Sequence, residues 1–266
     1  MSDTPGDARQ TNGAGAAPAE DGASAAPGAL PLFYRTPEPL RADTHGALKV
    51  DLTPHYGFAR NAHAVPLNAI EFAAAARHYP IVFAAGSTPP AAVAVLGLRR
   101  DANLFVNAAG GWVEDLYVPS YLRRYPFILA RDAQGKDFAL CVDVASDKVG
   151  EAAGHALFAE GAASEATRKA LEFCSAFHRE AQASAAALEK LAEHDLLIPN
   201  EGRFTLSSGE VLTVNDFLVV SEERFAALSD AAFLDLRKAG TLPAIYCHLL
   251  SMRCWSDLVR RLEAQA

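Results

Sequence analysis

The spacing of hydrophobic and polar positions changes about halfway along the chain. In the first half the apolar residues form short runs: IVFAAG at 81–86, AVAVLGL at 92–98, NLFVN at 103–107, PFILARD at 126–132 and DFALCVDV at 137–144. The connections STPPA, RRDA and AQGK are rich in turn-forming residues. Such runs indicate β-strands, and strands joined by short turns pair antiparallel. We therefore predict an antiparallel sheet in the N-terminal half.

The second half has a helical pattern. After Ser164, a candidate N-cap, apolar residues recur at helical spacing and predict one long helix to about Glu193. A short hairpin with Ser207-Ser208-Gly209 at its turn is predicted within 203–220. Three closing helices follow: one capped by Ser221, one capped by Ser229 and stopped at Gly240, and one from near Pro243 to about Glu263. The predicted fold class is α+β, with an antiparallel sheet followed by a mainly helical half.

Two boundaries complete this outline. Residues 1–31 are rich in Ala, Gly and Pro and contain almost nothing to bury, so we predict a disordered tail. A globular region is predicted over 32–266, as one domain or as two lobes of about 32–160 and 161–266. Within it, residues 68–78 predict a helix, because Asn68 and Glu71 have the spacing of a capping box and an alanine run follows.

Composition narrows the classes of partner and compartment. The formal charge of −8 argues against a nucleic-acid partner, since phosphate binding requires a basic surface. The chain shows no secretory leader and no run near the roughly 20 apolar residues of a membrane span. The four cysteines form no CxxC pair, and we expect all of them to be reduced and buried. Together these features predict a cytoplasmic protein.

The segment from Gly110 to Phe127, GGWVEDLYVPSYLRRYPF, is the strongest candidate for a binding site. It places several aromatic residues, Trp112 and Tyr121 among them, beside Arg123 and Arg124. Arginine stacks on rings and forks onto carboxylates, so such a segment suits planar or acidic groups. The alternative is that the aromatic side chains fill the edge of a core while the arginines stay solvated.

Catalytic and cofactor motifs are weak by comparison. The eight histidines include no HExxH or Cys/His cluster, and no P-loop, GxGxxG or GxSxG is present. We therefore predict no cofactor and no metal site. Ser251 follows His248 by three residues on a predicted helix, so these two side chains could meet. A buried structural histidine is the competing interpretation.

Several blocks in a fixed order resemble the SapC family of bacterial proteins, named after an S-layer-associated member and distinct from a membrane permease that shares the letters. The blocks are FARNAHAVPLNAIEFAAAARHYPIVF at 58–83, VLGL, NLFVN, GGWVEDLYVPSYLRRYPFILA, the LF pair at 157–158, the long helix and KAGTLPAIYCHLLSM at 238–252. The resemblance spans about Phe33 to Leu262. It implies a link to cell-surface or uptake pathways but supplies no catalytic residue.

Three functional hypotheses follow. The leading one is a non-catalytic soluble binding or accessory protein, with an unknown protein or small molecule as partner and the oligomeric state left open. The second is an enzyme, in some versions metal-dependent, with a pocket of dispersed residues. The third is a structural component of a surface layer. The candidate ligand- or partner-binding residues are His63, Glu71, Trp112, Tyr121, Arg123, Arg124 and His248.

Overall fold

The computed structural model describes residues 12–13, 30–131, 138–152 and 154–265. The predicted disordered tail lies outside the described residues except for Asn12–Gly13 and the last two positions, and so does the predicted AQGK turn. The strands in chain order are β1 (Asn12–Gly13), β2 (Pro37–Pro39), β3 (Lys49–Val50), β4 (Ala64–Pro66), β5 (Ile81–Ala84), β6 (Ala92–Val95), β7 (Phe127–Arg131), β8 (Phe138–Asp143), β9 (Val149–Gly150), β10 (His155–Ala156), β11 (Phe158–Ala159), β12 (Ala162–Ala163), β13 (Leu197–Thr205) and β14 (Val211–Val220). The helices are α1 (Ala42–His45), α2 (Phe72–Ala75), α3 (Ser120–Arg123), α4 (Glu165–Glu193), α5 (Glu222–Ala226), α6 (Asp230–Ala239), α7 (Leu242–Ser251) and α8 (Cys254–Ala264), with 3₁₀ turns at Gly57–Ala59 and Ala69–Glu71.

The α+β prediction is confirmed. The main sheet has the order β1-β14-β5-β6-β4, with β13 also paired to β14. All of its pairs are antiparallel except that of β1 with β14. A second antiparallel sheet, β2-β8-β7, contains the predicted pair at 126–144, with Phe127 opposite Val142.

The main sheet joins the two halves of the sequence. The predicted hairpin is present as β13 and β14, and it begins at Leu197, six residues before the predicted 203. β14 pairs with β5 through Phe217 opposite Ala84. A strand of the second half therefore lies in the sheet of the first half, while a division into two lobes near residue 160 stays a prediction.

The long helix α4 begins as predicted, because the Ser164 side chain accepts a hydrogen bond from the Thr167 amide at 3.2 Å. Near its N-terminal end Cys174 is buried in a cluster with Phe127, Leu129 and Val142 of the second sheet. Towards its C-terminal end Leu188 and Leu191 are buried in the core of the main sheet. The helix therefore contacts both sheets, and its middle borders the surface described below.

Two predicted elements differ in the structure. The predicted strand at 103–107 is wrong: it is reduced to a bridge between Val106 and Trp112. The Asn103 side chain donates to Ala59 O and accepts from the Phe105 amide, and these side-chain bonds take the place of strand pairing.

The predicted last helix is divided into α7 and α8 after Ser251. The Ser251 hydroxyl donates to His248 O and accepts from the Ile81 amide, so it competes with helical hydrogen bonding at this point.

Three smaller outcomes concern local signals. Gly240 ends α6 with φ of 74°, as its position predicted, because this left-handed conformation suits glycine. The helix predicted at 68–78 starts at the predicted capping box but leaves regular structure after Ala75. All four cysteines are free, and Cys247 is half-buried rather than buried.

Candidate functional site

The aromatic segment predicted as a binding site turns through the single-turn helix α3, which follows Pro119. Consecutive residues of a helix point about 100° apart. Tyr121 and Arg124 therefore share one side of the turn, while Arg123 lies on the other. The two arginines of the predicted pair end in different environments.

Arg124 is buried within the aromatic rings. Its side chain is 3 % exposed, and the guanidinium carbon lies 4.3 Å from the Tyr121 ring centre and 4.4 Å from that of Phe177. Tyr121 is itself buried, and its hydroxyl donates to Leu32 O at 3.2 Å. The Arg124 guanidinium therefore packs inside the protein. This differs from the alternative interpretation, in which both arginines stay solvated.

Arg123 is exposed and held against the surface. Its Nε donates to Val118 O at 3.0 Å, and its Nη2 donates to the Tyr117 hydroxyl at 3.3 Å. The guanidinium carbon lies 5.3 Å from the Phe173 ring centre and 5.7 Å from that of Tyr117. Nη1 has no hydrogen-bond partner among the described residues. One edge of a pre-positioned cation is thus open to a ligand.

Arg123 lines a cavity of about 350 Å³, which we call the Arg123 cavity. Its wall is mainly apolar and comes from three places in the chain: the capping-box turn, the segment around α3, and α4. The lining residues are Asn68, Ile70, Glu71, Ala74, Tyr117, Ser120, Arg123, Phe173, Ala176, Phe177 and Glu180. Phe177 separates this cavity from the buried Arg124, since its ring packs on that guanidinium.

Glu71 fixes the wall of the cavity. Its carboxylate accepts from the Asn68 amide at 3.1 Å, the Tyr117 hydroxyl at 2.8 Å, the Ser120 amide at 2.7 Å and the Ser120 hydroxyl at 2.6 Å. The capping box predicted from the sequence therefore also ties the first helical turn to the start of α3. Burial, with the adjacent Glu71 carboxylate, raises the pKa of Tyr117 to about 12, so its phenol stays a neutral donor.

Trp112 supports the site from behind. Its Nε1 donates to the Tyr79 hydroxyl at 3.2 Å, and its ring stacks on Phe105 at 5.8 Å. Tyr79 in turn donates to Tyr117 O. Trp112 is 9 % exposed and does not line the Arg123 cavity, and its hydrogen bond to Tyr79 links it to the site.

His248 lies in the core over the β14–β5 pair, fully buried. Its Nδ1 donates to Ile81 O at 2.6 Å, and its Nε2 accepts from the Val220 amide at 3.0 Å. Burial lowers the pKa of His248 to about 4, so the ring is neutral at physiological pH. The contact with Ser251 that the spacing suggested runs through the His248 backbone carbonyl and leaves the imidazole out.

His63 lies just before β4 and does not line the Arg123 cavity. Its backbone carbonyl accepts from the amides of Leu96 and Gly97. The ring is half-buried, and its Nε2 has no hydrogen-bond partner among the described residues. Burial lowers its pKa, against the smaller opposing effect of Asp101. His63 and His248 lie at different strands of the main sheet: His63 precedes β4, and His248 is hydrogen-bonded to β5. These two strands are two spacings apart, roughly 10 Å.

The structure therefore brings Glu71 and Arg123 together at one cavity, with Tyr121 and Arg124 behind its Phe177 wall. It places Trp112, His63 and His248 elsewhere. Ile70, Phe173 and Glu180 also line the cavity but were not predicted from the sequence. The sequence does contain a signal for the two residues from α4. Phe173, Phe177 and Glu180 lie at i, i+4 and i+7 and so share one helix face.

No group of three or more His, Cys, Asp or Glu side chains in the described part converges as a metal site would require. No described helix combines the length and the apolar character that crossing a bilayer demands.

Comparison with known proteins identifies a family. The family model described as SapC matches residues 40–258, most of the chain and within the limits that the sequence blocks indicated. No curated protein and no solved structure matches the chain.

Proposed function

Because the chain belongs to the SapC family, we propose that it acts by binding rather than by catalysis, as an accessory protein of a cell-surface or uptake pathway. The pathway follows from the family resemblance. The binding role is supported by the way the candidate side chains are used. Arg123 presents an open guanidinium edge on an apolar wall. Glu71 and His248 have their hydrogen-bonding groups committed to the scaffold.

The chemistry of the Arg123 cavity suits a carboxylate carried on an aromatic or aliphatic group. A guanidinium binds a carboxylate through two parallel hydrogen bonds, and the pair strengthens where water is excluded. Ile70, Ala74, Phe173 and Ala176 offer apolar contact beside it. The ligand would therefore combine one acidic group with an apolar body.

A panel of aromatic carboxylates and their matched carboxamides tests this by NMR titration of the whole protein. Carboxylates should perturb the signals of Tyr117, Arg123 and Phe173, whereas carboxamides should bind about tenfold more weakly, since one charge-assisted contact is lost. Arg123→Ala should remove the difference between the two series.

Arg168→Ala is the matched control, because Arg168 is also exposed and donates to a backbone carbonyl, that of Ala163 at 2.8 Å. The proposed site would be refuted if the ligands perturb signals elsewhere in the protein. It would also be refuted if Arg123→Ala binds both series as tightly as the native chain does.

One specific observation supports the enzyme hypothesis: Nε2 of His63 is buried and has no hydrogen-bond partner among the described residues. Metal analysis of the purified protein tests its metal-dependent version. Stoichiometric iron or zinc that is lost in His63→Ala, with the fold retained, would favour that function over binding.

The proposed compartment is the cytoplasm, and cell fractionation tests it. Recovery of the protein mainly with the outer envelope would favour the third hypothesis, a structural component of a surface layer.

A further inference from the structure

A second cavity of about 390 Å³ adjoins the Arg123 cavity. It lies between α4, α2 and the start of α7, and Cys247 lines it, so we call it the Cys247 cavity. The two cavities share Ile70 and Glu180. They therefore lie side by side along α4, and we call the two cavities together the α4 groove.

The α4 groove is far longer than a small ligand. The helix residues along it include Phe173, Ala176, Glu180, Ala183 and Ala187, from one cavity to the other. At 1.5 Å per residue this distance is about 21 Å. The spacing of three and four residues is that of a heptad stripe, the helix face that receives the side chains of a second helix.

The lining of the groove contains exposed apolar surface. Ile70 is 67 % exposed at the junction of the two cavities. An exposed apolar side chain at the junction of two cavities indicates an interaction surface, because it would gain by leaving water.

Two opposite charges mark positions along the groove. Arg123 lies against Phe173 at one end. Glu180 is seven residues further along α4, about two helical turns or 10 Å away. A partner that fits both charges carries an acidic and a basic side chain about two turns apart on one face. This complementarity disfavours a mainly acidic occupant, such as the tail, in which Asp3, Asp7, Glu20 and Asp21 outnumber the single basic residue Arg9.

We propose that the α4 groove binds one face of an amphipathic helix from another protein. Its apolar side chains contact Ile70 and the alanines of α4, its acidic residue pairs with Arg123, and its basic residue pairs with Glu180. The inference rests on the proposed function, because the Arg123 cavity is one end of the groove. It also specifies the class of ligand, which is a helical segment of a protein instead of a small molecule.

Selection from a displayed library of random peptides of about 14 residues, a length that spans about 21 Å as a helix, provides the probe. The selected peptides should bind Ile70→Asp and Arg123→Glu about tenfold or more weakly than the native chain. Leu171→Asp is the matched control, because Leu171 is a 44 % exposed residue of α4 outside both cavities. Alanine scanning of the peptide should show losses at a spacing of three and four residues, whereas losses at every second residue would overturn the helical occupant.

Cys247 supplies an independent readout. It is half-buried in the second cavity, whereas Cys141, Cys174 and Cys254 are buried. Burial raises the pKa of the Cys247 thiol, so alkylation with N-ethylmaleimide is best followed at about pH 9, where more thiolate is present. A bound peptide should slow this alkylation by roughly tenfold, whereas an aromatic carboxylate in the Arg123 cavity should leave it unchanged.

The outcomes separate this inference from the proposed function. The binding site stands and the helical partner is refuted if aromatic carboxylates require Arg123 but no peptide is selected. The same conclusion follows if the selected peptides bind Ile70→Asp as tightly as the native chain and leave Cys247 reactive. If neither class of probe requires Arg123, both fail. If alkylation of Cys247 slows as the protein concentration rises, and the protein then has the mass of a dimer, the groove would be assigned to a second copy. Faster alkylation after removal of residues 1–29 would assign it to the tail, and either result overturns the proposal.

Discussion

Arg123 and Arg124 are neighbours in the sequence and opposites in the structure. Arg124 is 3 % exposed and stacked on Tyr121 and Phe177, while Arg123 is exposed beside Phe173 with part of its guanidinium open. Consecutive residues of a helix point about 100° apart, and this rotation separates their directions. The comparison teaches that the arginine doublet is not one functional unit: one member stabilises the segment, and the other is presented to a ligand.

The same division applies to the other candidate residues. Glu71 and His248 are committed to the scaffold by hydrogen bonds, as Arg124 is by its rings. Substitutions in the scaffold group should reduce stability, and substitutions at Arg123 should reduce binding alone. The predictions below test this division, from the largest expected effect on stability to the smallest.

Glu71→Ala should cause the largest loss, about 4 kcal/mol in the free energy of unfolding. The substitution leaves the amides of Asn68 and Ser120 and the hydroxyls of Tyr117 and Ser120 without their charged acceptor. Urea denaturation measures it. Glu180→Ala is the control, because this groove carboxylate makes no hydrogen bond among the described residues and should cost less than about 0.5 kcal/mol. Equal losses in the two variants would contradict the division.

His248 should make stability fall in acid. Its pKa is about 4 in the folded protein and near 6.5 when unfolded, so its contribution is fully present above pH 6.5 and is lost as the pH falls towards 4. The full effect is about 3 kcal/mol at 1.36 kcal/mol per pKa unit.

Urea denaturation across pH 4 to 7 should therefore show a flatter dependence in His248→Gln than in the native chain. His63→Gln should flatten it less, because the His63 ring is only half-buried. An unchanged slope in His248→Gln would show that the imidazole does not have the assigned role.

Arg124→Ala should cost about 2 kcal/mol, because buried ring contacts of the guanidinium are lost and a cavity remains. Arg124→Lys should recover only part of this, since an ammonium lacks the planar face that stacks on the rings. Thermal and urea unfolding measure both variants. A loss below about 0.5 kcal/mol in Arg124→Ala would place this side chain in the same class as Arg123.

Arg123→Ala should have the smallest effect on stability, below about 0.5 kcal/mol, because its partners are at the surface and its contacts are screened by water. A double replacement of Arg123 and Arg124 would therefore show the loss caused by Arg124 and obscure the binding role of Arg123. Urea denaturation of the two single variants separates these effects, and a loss in Arg123→Ala as large as that in Arg124→Ala would refute the comparison.

Local rules predicted much of the fold. Ser164, Ser221 and Ser229 each cap a helix, Asn68 and Glu71 form the capping box, and Gly240 ends α6. These signals depend on residues within one turn of each other, so the sequence alone contains them. The α+β class followed from the same short-range patterns.

Features that depend on distant contacts were not predicted. Residues 103–107 have the composition of a strand, but the Asn103 side chain donates to Ala59 O, 44 residues earlier in the chain, and accepts from the Phe105 amide. The candidate site combines α4, α3 and the turn before α2, which are far apart in the chain. The orientation of Arg123 relative to Arg124 depends on which face of α3 packs against Phe177, a tertiary contact without a short-range signal.

The affinity of Arg123→Ala for aromatic carboxylates, measured on protein with native unfolding behaviour, tests the central claim most directly. We predict binding about tenfold weaker than in the native chain, with no remaining preference for carboxylates over carboxamides. Native affinity with the preference intact would contradict the assignment of Arg123 as the ligand-binding member of the pair.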